Sequence, residues 1–375
     1  MNNEIKVSEV YNLKSAKNYI NDVIDSNWIS YSGKYVSMCE EKLKNILNVK
    51  HIVLTTNGTA ATHCVMKSVK YKHPECKKIY IPDHCYVAVY NSVLMEYDKS
   101  QIEIMPIDKS TWNLDLNYID RMDQNSCLLL VHNLGNIIPI DKIKHQRPDI
   151  ILVEDNCEGF MGKEQNKMAG SDTLASSISF YANKHITSAE GGAFITNDDD
   201  VYEYIKRFCT QGVTKQKYVH DILAYNYKFN NLSAALLYSQ LEHLDHIYTV
   251  KKGIFDLYTN LFNDYKDLIG IQYIVPTTSH SCWMFGVSFN NHNKTYEHIE
   301  DYFKTNNIEI RPFFYSYEQH IHLKDIKSMA SSTLDKQIIL LPLHCYMQQE
   351  NVKHVVEVTM QYVLHQKNNI KLTMS

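Results

Sequence analysis

Arginine is nearly absent. Of the 38 Lys and Arg residues only Arg121, Arg147, Arg207 and Arg311 are Arg. An arginine kept in so lysine-biased a chain marks a place that needs a planar, forked donor. The 12 glycines form neither GxGxxG nor GxxxxGK, which speaks against a dinucleotide or nucleoside-triphosphate fold. The nine cysteines are odd in number, scattered and never in a CxxC pair, which fits free thiols in a reducing compartment and not a zinc site. Eighteen histidines show neither HExxH nor HxxxH spacing, so no metal is expected. No apolar run reaches the length of a membrane span and no charged-then-apolar signal opens the chain, so a soluble, cytoplasmic protein is expected. A net charge of -4 gives no reason to expect nucleic acid or an acidic membrane as partner. At 375 residues the chain is long enough for two domains.

What the chain does contain is a series of short apolar runs that end in polar groups. The stretch 179–192, SFYANKHITSAEGG, follows a strand through Ile178 and Phe180 that delivers Lys184 to its end, and Gly191 and Gly192 let the chain return through 193–196. A lysine amine held out of water between two strands is the group that forms an imine with an aldehyde. The simpler alternative is a strand-end lysine paired with Glu190.

Upstream, 15–25 and 36–47 have helical spacing around a loop at 28–33. The run 51–55 reads as a buried strand, 57–59 as a turn and 60–69 as a helix, so backbone amides and the Thr59 hydroxyl stand at a helix N-terminus, where a phosphate could be held. A plain N-cap explains the same residues. Strands are expected at 78–82, 102–107, 128–132 and 150–154, with a helix at 86–96. Apolar strands alternating with helices imply an α/β fold with a mainly parallel sheet, and ligands then belong at the carboxyl ends of the strands. Those ends carry Gly58, Thr59, Tyr86, Asp155 and Lys184. A carboxylate at the mouth of a buried strand needs a partner, and a pyridinium nitrogen would serve. Lys184 for an aldehyde, Asp155 for a ring nitrogen, Tyr86 for a ring face, and Gly58, Thr59 and Ser179 for a phosphate together suit pyridoxal 5'-phosphate (PLP).

The motifs WISYSGKYV, NGTAATH, IPDHCYVAVYNSV, TWNLD, VHNLGN, VEDNCEGFMG, SFYANKHITSAEGGAFIT, YNYKFNNLSAALLYSQLE and IEIRPFF stand in family order over nearly the whole chain. On them the sequence resembles the DegT/DnrJ/EryC/StrS family of PLP-dependent nucleotide-sugar aminotransferases, fold type I, especially those that make 4-amino-4,6-dideoxy sugars of the perosamine and viosamine type. The resemblance implies Lys184 as the Schiff-base lysine, Asp155 as partner of the ring nitrogen, Glu158 at the ring hydroxyl and Tyr86 stacked on the ring. It also implies Gly58, Thr59 and Ser179 in the phosphate cup. Asn231 matches a residue that reaches the other subunit's phosphate, which implies a homodimer with shared active sites. The implied reaction moves an amino group from glutamate to carbon 4 of a nucleotide-linked 4-keto-6-deoxyhexose for glycan biosynthesis, with pyridoxamine phosphate as the intermediate form of the cofactor.

The chain departs from the family at Cys85, Cys157 and Ala189, small-for-small changes that should leave the cup standing, and at Lys228, Ser316 and Glu318. A sugar 3-aminotransferase or a PLP/PMP-dependent sugar dehydratase are the alternatives among enzymes; the family's dehydratases carry His where this chain has Lys184. A non-catalytic PLP-binding regulatory protein is the alternative from another class, against which stands the filling of every cofactor position. Residues 1–249 are expected to form the large PLP-binding domain with its N-terminal segment, and 250–375 a smaller α/β domain. A long helical stretch at 232–262 carries the chain out of the sheet domain into strands at 271–275, 283–289 and 308–312 and helices at 297–306 and 351–365. Arg311, a rare arginine at a strand end there, is the candidate substrate contact.

Overall fold

The computed structural model describes residues 4–289, 295–329, 334 and 338–373. Nine strands belong to its first half: β1 His51–Thr55, β2 Ile79–Pro82, β3 Ile102–Met105, β4 Cys127–Val131, β5 Ile151–Asp155, a small hairpin of β6 Lys163–Glu164 and β7 Lys167–Met168, then β8 Ser176–Ser179 and β9 Gly192–Thr196. Six more follow: β10 Ile269–Gly270, β11 Thr278–Ser279, β12 Phe285–Phe289, β13 Arg311–Pro312, β14 Lys327–Ser328 and β15 Ile338–Leu341. The main sheet has eight strands in the order β1-β9-β8-β5-β4-β2-β3-β14. From β8 to β14 the strands are parallel, whereas β9 runs antiparallel to both β1 and β8.

Alternation along the strands explains how the sheet is covered. In β1, Val53 packs with Cys64, Val65 and Val69 of α3 (Gly58–Lys72), while Ile52 and Leu54 face Cys39, Leu43 and Leu47 of the helix Lys34–Leu47. Successive side chains of a strand point to opposite faces, so a strand covered on both sides must be apolar throughout. That is why these runs of four or five residues could be read from sequence. A second core lies around an antiparallel sheet, β10-β12-β15-β13, packed by Phe255, Tyr258 and Phe262 of one helix and Val352 and Val355 of another.

Several expectations are corrected here. The helical stretch at 232–262 is two helices, Asn231–Leu241 and Leu244–Asn263, broken at Glu242 and His243. The first packs beneath the main sheet; the second begins there with Leu244 and Ile247 and runs on into the other core with Ile254, Phe255, Tyr258 and Phe262. The strand expected at 271–275 is not formed: β10 ends at Gly270, and beyond it the Tyr273 N–H donates to the Ser110 carbonyl while the Gln272 side chain donates to the carbonyls of Thr111 and Asn133. The strand expected at 308–312 is confined to β13, and β15 was not anticipated. All nine cysteines are free. Among the described residues no helix is long and apolar enough to cross a membrane, and no group of three or more His, Cys, Asp or Glu could hold a metal ion.

Candidate active site

The carboxyl ends of β1, β5 and β8 open into a cleft of about 550 Å³, closed on one side by Trp283, Arg311 and Phe314. A cavity of similar size, about 580 Å³, lies at the other end of β5; its charges are paired as Arg147–Asp149 and Lys144–Asp172, and it contains none of the converging groups.

One wall of the cleft is the start of α3. Asn57 caps it by accepting from the Ala60 N–H at 2.8 Å. Gly58 comes next, where a Cβ would stand 2.8 Å from the Ser179 Cβ. Only glycine lets the two strand ends approach this closely. Gly58, Thr59 and the Ser179 hydroxyl thus border a helix N-terminus, whose unpaired N–H groups and dipole favour an anion.

Asp155 is 6% exposed and faces the cleft from the last position of β5. Its Oδ2 accepts from the Thr62 hydroxyl at 3.1 Å and its Oδ1 from the Cys157 N–H at 3.0 Å. Its neighbour Glu154 points to the opposite face, where His132, Thr173 and the Gly170 N–H satisfy it.

Lys184 does not cap a strand. It lies five residues beyond β8 in a loop, 13% exposed at its side chain. Its Nζ stands 3.8 Å from Glu158 Oε1 and 4.0 Å from the centre of the Trp283 ring, so its ionic partner is Glu158 and not Glu190. Trp283 secures the loop a second time by donating its Nε1–H to the Asn183 carbonyl at 2.9 Å. Burial pushes Glu158 up to about 7; Lys184 and the Leu134 N–H oppose that rise and Asp155 adds to it. The Leu134 N–H reaches Glu158 at 2.8 Å because Leu134 holds a φ of 59°, a left-handed conformation uncommon for its type.

Tyr86 begins the helix Val87–Leu94 and leaves its ring 58% exposed at the cleft mouth. Arg311 also lines the cleft; one fork nitrogen lies 3.3 Å from Glu309, whose other oxygen accepts from the Val7 N–H.

The Asn231 side chain is buried within its own chain, with Gly33 packed directly on it. Within the chain both halves of the amide are used, one accepting from the Tyr35 N–H at 3.0 Å and the other donating to the Trp28 carbonyl at 2.7 Å. Asn226, in the same motif, is exposed.

Ala189 holds a φ of 70° where glycine would be unstrained, so this replacement is not neutral; strain of this kind costs on the order of 1 kcal/mol. Ser316 donates to Asp83 Oδ1 at 2.7 Å and so ties the loop carrying Phe314 and His320 to the end of β2. Sequence reasoning missed Trp283, Thr62 and Phe314. Trp283 is one of only three tryptophans, and that scarcity was the one available signal.

Residues 12–360 match the model of the DegT/DnrJ/EryC1/StrS aminotransferase family. The chain is 30% identical over 313 residues to a GDP-perosamine synthase from Vibrio cholerae, covering 80% of this chain and 82% of that one. It is 28% identical over 304 residues to a GDP-perosamine synthase from Escherichia coli O157:H7, covering 80% and 81%. Its fold superimposes with a TM-score of 0.86, at 20% identity, on a solved E. coli GDP-4-keto-6-deoxy-D-mannose-3-dehydratase with bound hydrated PLP, covering 94% of this chain and 98% of that one. With nearly its whole length matched, the chain belongs to the DegT/DnrJ/EryC1/StrS aminotransferase family.

Proposed function

We propose that this protein is a PLP-dependent aminotransferase that converts an NDP-4-keto-6-deoxyhexose to the NDP-4-amino-4,6-dideoxyhexose, of the perosamine or viosamine type, with glutamate as amino donor. The observation that carries this reading is the Lys184 amine at the cleft wall, between the buried carboxylate of Glu158 and the Trp283 ring, with Asp155 across from it. The residues fit PLP: a cradle that a Cβ at Gly58 would fill, a buried carboxylate facing the cleft, and an open aromatic ring. When bound, the cofactor supplies an electron sink for the carbanion left by proton removal from the donor.

The chain's own residues then have distinct tasks. The N–H groups of Gly58 and Thr59 and the Ser179 hydroxyl would hold the phosphate. Asp155, fixed by Thr62 and Cys157, would keep a proton on the ring nitrogen, and Glu158 would accept from the ring hydroxyl. Tyr86 would cover one ring face. Lys184 Nζ would tether the cofactor, take the proton from the donor's α-carbon and return it on the other side of the transfer. A homodimer is supported by Trp28, Ile29 and Tyr31, apolar or aromatic side chains left about half exposed, with Lys228 Nζ 5.2 Å from the Tyr31 ring centre.

The fold alone does not separate a transaminase from a dehydratase, because a solved dehydratase superimposes on this chain. Lys184 favours the transaminase, since transamination needs an amine that both tethers and shuttles a proton. A panel of 4-keto-6-deoxy nucleotide sugars, with the GDP-linked compound first, is to be offered with glutamate and PLP. Equal amounts of 2-oxoglutarate and amino sugar are expected by mass analysis. A sugar that loses a hydroxyl and gains no amino group refutes the proposal.

Arg311 is the proposed substrate contact from the second domain. Arg311→Lys keeps the charge and loses the fork. It is expected to raise KM for the nucleotide sugar about tenfold, with KM for glutamate little changed, the loss of one charge-assisted bond of about 1.5 kcal/mol. Equal effects on both substrates would make Arg311 a structural partner of Glu309.

A further inference from the structure

Behind Lys184, on the side away from the cleft, lies a second lysine that the proposed chemistry does not use. Lys251, on the helix Leu244–Asn263, is 5% exposed. Its Nζ donates to the Trp283 carbonyl at 3.0 Å, and among the described residues it forms no ion pair. Lys251 and Lys184 line the same cavity of about 20 Å³, together with His185, His344 and Cys345. A buried ammonium without a carboxylate is an expensive arrangement, and the chain could have placed an apolar side chain there.

The groups that face Lys251 do not neutralise it. Burial holds His185 and His344 below the usual imidazole range, and it pushes His280 down to about 3. Burial also raises the thiols of Cys345 and Cys282, the latter to about 12. Glu9 lines the same cavity, but its ion-pair partner is His344, 3.8 Å away at Nδ1. The negative charges near Lys184, Glu158 and Asp155, stand on its cleft side.

We propose, resting on the aminotransferase reading above, that Lys251 is a positioning residue for Lys184: it anchors Trp283, whose ring and indole N–H hold the Lys184 loop, and its buried charge opposes a second positive charge on the Lys184 amine. Lys251 thereby counterweights Glu158, which attracts that charge from the other side. Two observations carry the assignment. The contacts Lys251–Trp283 carbonyl, Trp283 ring–Lys184 and Trp283 N–H–Asn183 form one chain from the helix to the reacting amine. The second is the burial of Lys251 on the same small cavity as Lys184, with no ion pair among the described residues.

Burial pushes the Lys251 ammonium down from 10.5 to about 8, with Lys184 acting in the same direction and Cys345 and Cys282 against it. The folded protein therefore binds fewer protons at this site than the unfolded chain between about pH 8 and 10.5, and its stability rises with pH across that window.

The test compares Lys251→Met, which keeps the length without the charge, with Lys251→Arg, which keeps the charge. Lys251→Met is expected to melt at or above the wild-type temperature at pH 7, with the difference closing by about pH 10. Its kcat should fall about tenfold, and the midpoint of the pH-dependent visible band of the PLP-loaded protein should move up by about one pH unit, the size of a near like-charge effect. Lys251→Arg should restore most of the kcat and of the midpoint. A wild-type kcat and midpoint in Lys251→Met would overturn the proposal, as would equal loss of stability and activity in both variants. Cofactor-free protein gives a separate reading: acetic anhydride at pH 7 should label Lys184 several-fold more slowly in Lys251→Met than in wild type. An unchanged labelling rate overturns the role of Lys251, whereas a wild-type protein with no PLP band but slowed labelling in the variant overturns only the aminotransferase reading.

Discussion

Replacing Lys184 by Ala is expected to abolish turnover, by a factor of about 10⁴ or more, while leaving the fold in place. Acid–base transfer by a positioned side chain is worth about 10² to 10⁴ and covalent tethering adds to it, so the loss corresponds to at least about 5.5 kcal/mol of barrier. The side chain stands against Glu158 at 3.8 Å and the Trp283 ring at 4.0 Å, and it is no part of any core cluster, so its truncation opens the cleft wall without unpacking a strand. Two readouts follow. The PLP-loaded variant should lack the pH-sensitive visible band of the wild type, and borohydride treatment should fix no cofactor at residue 184. Near-wild-type turnover, or cofactor still fixed at another lysine with full activity, would remove Lys184 from the chemistry.

Asp155→Asn is the second large effect, and it separates electronic from structural roles. The amide is isosteric: its oxygen can accept from the Cys157 N–H, and its NH₂ can donate to Thr62 Oγ1, which now donates to Asp155. Little stability should be lost and PLP should still bind. A neutral amide, however, cannot hold a proton on the ring nitrogen, so proton removal from the donor should slow by about 10² to 10³. Single-turnover kinetics with deuterated glutamate would locate the loss in that step. Turnover within a few-fold of wild type would leave Asp155 as a strand cap for Thr62 and Cys157.

The strands that build the cleft could be read from sequence for a physical reason. A strand covered on both faces is mostly apolar, so polar residues gather at the ends of runs such as 128–131 and 150–153, at the carboxyl edge where ligands belong; of the pair that ends β5, Asp155 faces the cleft and Glu154 the opposite side. Both Asp155 and Gly58, read from strand ends, line the cleft, and the family match covers nearly the whole chain. Strand-end logic fails where the decisive contact is distant. The Lys184–Trp283 pairing joins segments far apart, and no periodicity announces it. Asn231 is named from the family resemblance alone, and its contacts with the Trp28 carbonyl and the Tyr35 N–H depend on where the 28–33 loop folds back, which no local pattern announces. The long helix over 232–262 is in fact broken at Glu242 and His243, and the apolar spacing does not announce the break because Leu241 and Leu244 on either side of it enter the same core. Ala189 looked interchangeable with glycine by size, but its cost lies in φ, which size does not reveal.

The antiparallel pairing of β1 with β9 has a consequence for how the protein comes into being. Thr55 pairs with Gly192 across more than a third of the chain, and a Cβ at Gly192 would stand 2.5 Å from the Asn57 carbonyl oxygen, so the anion cradle at Gly58 is complete only when β9 is in place. A chain emerging from the ribosome has made β1 and α3 long before it has made the residues that close them, and loop closure over so long a span is slow. During that interval β1 is an unpaired edge, open to wrong partners. An anionic ligand that needs the finished cradle binds the native sheet and not its precursors, so it stabilises the closed form by mass action. Its supply during synthesis would then govern how much of the newly made chain survives as folded protein.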